Sequence, residues 1–162
     1  MECSEILFDS DIDNWSQQTS VFNERIIEKK QLTFLIEDED NEIFGYYLNT
    51  EVVEKYSWRE TDSKSFLFNL QSKNNRLNKP MKFQIKDLFW GGIYLYEQSD
   101  NGLIDLGDIY LRKENKKNKS NCNQHEDRFD YHGIKKALCG KEPDEDGDMF
   151  FTPKRILVIQ MK

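Results

Sequence analysis

Cys122, His125, His132 and Cys139 fall within 18 residues, in the spacing C-x2-H-x6-H-x6-C. All four side-chain types ligate tetrahedral zinc, and a two-residue gap lets one turn present two ligands. The later gaps differ from the common finger spacings, and Leu138 sets Cys139 on an apolar face. A small buried cysteine and a surface histidine account for the same residues. A zinc-stabilised binding domain built on these four is therefore the alternative reading, and no cofactor is expected in the first. Cys122, three residues from Lys119, is also the thiol best suited to redox reactivity if it lies in an exposed loop. Two acidic runs imitate calcium loops. Asp9, Asp11 and Asp13 lead to Ser20 at the twelfth position, and Asp144, Asp146 and Asp148 lead to Arg155, where a bidentate Glu is needed. Both read as solvated turns.

Other chemistry is sparse. The phosphate-cradling loop, the dinucleotide glycine fingerprint, the nucleophile elbow and the two-histidine zinc helix are all missing. The chain is expected to be no enzyme, with no catalytic residues to name. The basic run Arg112, Lys113, Lys116, Lys117 and Lys119 holds no aromatic for base stacking and reads as a solvated loop, so nucleic acid is not an expected ligand. Trp58, Phe89 and Trp90 lie outside clear strands. They are the candidate partner-binding residues, because exposed aromatics mark interaction surfaces and Trp is enriched at their hot spots.

The elements that must position these residues are mostly strands. Val21, Phe22, Arg25 and Ile26 share one helical face in a helix expected over 17–29, with Ser16 as N-cap. Residues 31–36 and 42–48 read as a hairpin around the acidic turn at 37–41. Residues 65–70 and 81–85 form a second strand pair. Residues 92–97 and 103–111 form a third, around the Asn101-Gly102 turn signal. Residues 154–160 form a last strand, apolar on both faces and so expected to be buried. Trp15, Phe22, Phe34, Phe44, Phe66, Phe68, Phe83 and Phe151 sit at strand or helix positions and read as core. The result is a mainly β (α+β) chain: a two-sheet antiparallel β-sandwich with a few short flanking helices.

Composition sets the outer bounds. At 162 residues the chain is expected to be one domain, with long polar loops near 113–128 and 141–148. Aromatic residues at 13% exclude a disordered chain despite a mean hydropathy of -0.82. Thirty acids against 23 bases leave a net charge of -7, which opposes capture of nucleic acid by counterion release. No apolar run reaches membrane-span length, so no membrane insertion is expected. The opening residues lack a basic segment followed by an apolar one, and three cysteines fit a reducing compartment; a cytoplasmic location is the expectation.

The order of the pieces resembles the TLDc domain of the oxidation-resistance family. The resemblance runs from residues 6–11 with Trp15 and Phe22, through 32–36, Phe44-Gly45-Tyr46 and 62–70. It continues through Phe89-Trp90-Gly91-Gly92 and Leu106-Gly107 to 150–159. The chain looks like a stand-alone, Asn- and Lys-rich, protozoan-type member. The resemblance implies a β-sandwich and a cytosolic, monomeric, non-enzymatic interaction module in oxidative-stress protection. It also implies binding of the vacuolar proton-pumping ATPase through protein contacts. Gly45, Gly91, Gly92 and Gly107 match the family's glycines, which implies positive φ or close backbone packing at strand ends.

Overall fold

Strict alternation is clearest in Leu32–Asp38, where Leu32, Phe34, Ile36 and Asp38 point inward and are fully buried while their neighbours are half-exposed. Such a period-2 pattern suits a strand with one face on a core. The computed structural model describes residues 1–162, the side chain of Asn75 excepted. Among the described residues thirteen strands and one short α-helix form. They are β1 (Cys3–Asp9), α1 (Phe22–Ile26), β2 (Leu32–Asp38), β3 (Ile43–Leu48), β4 (Trp58–Arg59), β5 (Phe66–Gln71) and β6 (Met81–Ile85). Then come β7 (Ile93–Leu95), β8 (Gly102–Leu106), β9 (Ile109–Arg112), β10 (Ser120–Cys122), β11 (Phe129–Asp130), β12 (Met149–Phe151) and β13 (Pro153–Met161).

The strands make two antiparallel sheets, ordered β1-β13-β2-β3-β5-β6-β11 and β12-β10-β9-β8-β7-β4. This is the expected β-sandwich. The three expected strand pairs form, with β2 and β3 in register from Leu32 opposite Leu48 to Glu37 opposite Ile43. Aromatic rings join the layers: Phe44 of the larger sheet meets Phe151 of the smaller edge-to-face at 5.1 Å, and Phe8 meets Phe22 of α1 at the same distance. Trp15, Phe34 and Phe83 are also core, whereas Phe66 and Phe68 lie on the outer face with Tyr47, Phe66 half-exposed and Phe68 buried.

Five expectations change. The helix is only Phe22–Ile26, because Ile27 turns extended and Glu28 takes φ 64. Ser16 does not cap it: its hydroxyl bonds Asn14 Oδ1 and Thr19 instead. The run 103–111 breaks into β8 and β9 at Gly107, whose φ of +62 makes a tight turn. The polar stretch 113–128 holds a 3-10 turn at Glu114–Lys119 and then β10. Finally, β13 is central but buries only one face, Ile156 and Val158, while Leu157 and Ile159 stay half-exposed outside.

Candidate functional site

Trp58, Phe89 and Trp90 come together at one end of the smaller sheet. Trp58 lies in its edge strand β4, opposite Tyr94 of β7. Phe89 and Trp90 lie in the turn between β6 and β7, where Asp87 holds the backbone: its Oδ1 accepts from the Phe89 and Trp90 amides at 3.0 and 2.9 Å, and its carbonyl accepts from Gly91. This is an Asx-type turn, which fixes the two aromatic side chains without burying them. The Trp58 indole N–H donates to the Phe89 carbonyl and ties strand to turn. Phe89 and Trp90 meet edge-to-face at 4.9 Å, Trp58 and Trp90 lie 6.0 Å apart, and Trp58 and Tyr94 lie 6.3 Å apart. Arg128 stacks 5.7 Å over the Trp90 ring. Leu88, Phe89 and Trp90 are 41%, 43% and 50% exposed. The cluster is open to solvent and held by its own turn, the features that make it the candidate contact surface.

The glycines form the frame beneath it. A Cβ at Gly92 would stand 1.9 Å from the Arg59 carbonyl, so only glycine lets the turn close on β4. Gly107 takes positive φ and donates its amide to the Gly92 carbonyl at 2.8 Å, and the Gly91 carbonyl accepts the buried Tyr46 hydroxyl at 2.7 Å. Gly91 and Gly45 are likewise closed against neighbouring backbone; Gly45 sits far from the patch, between β2 and β5. Close packing and positive φ are thus both present, as the resemblance implies.

The four Cys and His residues do not assemble into a tetrahedral set. The His125 ring Nδ1 lies 2.6 Å from Asp108 Oδ1, so that face of the imidazole already has a partner. His132 is at the surface, with Nε2 3.2 Å from the Lys82 carbonyl and Nδ1 3.6 Å from Asp130. Cys122 and Cys139 are both in the core. Among the described residues, no group of three or more His, Cys, Asp or Glu is placed to hold a metal ion. Cys122 lies in β10, not in an exposed loop, and burial, followed by its neighbour Cys139, pushes its thiol well above the usual range. That is the opposite of an activated thiol. The Asp9 run is anchored by Arg155, and Asp144 accepts from the Asp146 and Asp148 amides in a local turn.

Two polar centres escape sequence reasoning. Asp108 is fully buried and accepts from the Tyr131 hydroxyl at 2.5 Å and the His125 amide at 2.9 Å, with Arg128 at 3.6 Å. Burial and then the Asp108 charge push the Tyr131 phenol well up. Lys113 is buried too, its ammonium donating to the carbonyls of Glu97, Gln98 and Asp100 at 2.7–3.0 Å. It is a clamp on the β7–β8 turn, not part of a solvated basic run. The one available signal was that Asp108 stands next to Ile109 in an apolar strand run; Lys113, between Arg112 and Glu114, carried none.

Two antiparallel sheets packed through aromatic rings, with an exposed aromatic turn on a glycine frame, define a β-sandwich domain. A family model described as the TLDc domain matches residues 1–130 of the 162, and the chain belongs to that family. No curated protein matches it. Among the described residues, no helix is long and apolar enough to cross a membrane.

Proposed function

We propose that this TLDc protein is a cytoplasmic, monomeric, non-enzymatic module that acts in oxidative-stress protection by binding the vacuolar proton-pumping ATPase. The observation that carries the binding reading is the braced cluster of half-buried Trp58 with exposed Phe89 and Trp90. Interface hot spots are rigid aromatic groups, because ordering them on binding loses little side-chain entropy and covers much apolar area. Family membership supports this choice of partner, since pump binding is what the resemblance to the TLDc domain implies. The net charge of -7 would speed encounter with a basic face of the pump's peripheral subunits.

The test is recovery of partners by the tagged chain from lysate of its own cells, with and without brief peroxide treatment. Peripheral pump subunits should be enriched with the wild type. Trp90→Ala should weaken the purified complex by at least about 1 kcal/mol, roughly fivefold in Kd. Pump subunits missing under both conditions would remove the assignment. Trp58→Ala serves as a second probe: if it unfolds the domain, Trp58 belongs to the frame and Phe89→Ala replaces it.

A further inference from the structure

Cys122 and Cys139 are 17 residues apart in sequence, and both lie in the core against Met149. Cys122 of β10 sits directly opposite Met149 of β12 in the ladder. The Cys139 sulfur lies 3.7 Å from the carbonyl of that same Met149. Cys122 is 0% and Cys139 1% exposed, whereas Cys3 on β1 is open to solvent. Cys139 belongs to the stretch 131–140, which lies outside both sheets and turns through positive φ at His132, Gly133, Lys136 and Gly140. A thiol carried by turns can adjust its Cβ direction towards a strand thiol at lower cost than one held in a second ladder.

We propose that Cys122 and Cys139 are a latent dithiol that closes to an intramolecular disulfide under hydroperoxide, stapling the 131–140 segment to β10. One thiol loses its proton and attacks a peroxide oxygen; the O–O bond breaks, water leaves and a sulfenic acid remains. The second sulfur attacks that sulfenic sulfur, the S–S bond forms and a second water leaves. Two thiols are oxidised by two electrons, and one hydrogen peroxide is reduced to two waters. In the closed fold both thiols are shielded from solvent, so the reaction runs through transient opening and is slower than oxidation of Cys3. The device is a slow staple, not a fast sensor.

The experiment uses the full chain carrying Cys3→Ser, which removes intermolecular coupling. Native protein is exposed to hydrogen peroxide, then denatured, alkylated and weighed intact. The expected product is about 2 Da lighter than the reduced chain, takes up no alkylating group, yields a cross-linked peptide joining positions 122 and 139, and reverts with a dithiol reductant. Closing the loop should raise the thermal midpoint by roughly 5–10 °C. Adding Cys139→Ser should abolish the species. Should that variant fail to fold, the cross-linked peptide from the parent chain decides alone. Two thiols that stay alkylatable, or that gain oxygen without linking, would overturn the proposal.

Discussion

The Tyr46 hydroxyl, buried inside the larger sheet, hydrogen-bonds the Gly91 carbonyl at 2.7 Å and so ties β3 to the turn that displays Phe89 and Trp90. Burial pushes that phenol well above its usual range, which keeps it a donor throughout the working pH range. The turn that displays Phe89 and Trp90 is therefore held from below by the core of the opposite sheet. Tyr46→Phe keeps the ring and deletes the bond, leaving one buried carbonyl short of a donor. It should cost about 1–2 kcal/mol in urea unfolding. Tryptophan emission should also shift as Trp58 and Trp90 loosen.

Gly92→Ala is expected to be worse. Its Cβ would meet backbone, not a flexible side-chain end, so β4 must move away and take Trp58 with it. A loss of about 3 kcal/mol is expected, together with weaker partner binding. Gly133 is the control: its Cβ would meet open space, although φ is +71, so Gly133→Ala should cost only about 1 kcal/mol and leave binding unchanged. Thermal melts of the two variants side by side check this.

Lys113→Met retains the apolar stem and removes the ammonium from three carbonyls. Charge-assisted bonds to buried acceptors are strong, so destabilisation of about 2–4 kcal/mol is expected. Lys117→Met, in the exposed 3-10 turn, should stay within about 0.5 kcal/mol of wild type. Equal effects at the two positions in denaturant titration would contradict the clamp.

Stability should carry an unusual pH component. Burial raises both Asp38 and Asp105 to about 6 from an ordinary 3.8. Among the described residues Asp38 Oδ2 has no hydrogen-bond partner, and Lys141 lies 3.8 Å away. A raised carboxyl means that the folded chain holds a proton the unfolded chain has released. Its contribution is full below 3.8 and lost as pH rises through about 6. Asp9, lowered chiefly by its hydrogen bonds from Arg155, works in the opposite direction: its contribution is lost as pH falls. Relative to wild type, Asp38→Asn should therefore be at its best near about pH 7.5 and lose ground towards about pH 4.5. Urea midpoints across that range give the answer, and a gap independent of pH would refute the assignment.

Much of this protein was legible as local pattern. The alternation through Leu32–Asp38, the acidic turn after it and the Asn101-Gly102 signal place hairpins from neighbours in sequence, since side-chain period and turn chemistry are local properties. The aromatic trio and the four glycines were also visible as types. The short helix was not, because apolar spacing over 17–29 says nothing of the left-handed backbone that Glu28 adopts. Nor was Lys113, whose acceptors are backbone carbonyls on a turn 13–16 residues earlier.

By itself, then, the sequence determined the longer strands, the sandwich class and the family, all of which rest on periodicity and ordered short motifs; the short strands β4, β10, β11 and β12 were not legible in it. Only the tertiary structure decided which residues of distant segments share a site. It set Trp58 against Phe89 across 31 residues, gave His125 to Asp108 instead of to a metal, and brought Cys139 to Cys122. The physical reason is that burial and non-local pairing depend on how two sheets stack, and side chains of identical type read alike until that packing assigns each one a neighbour.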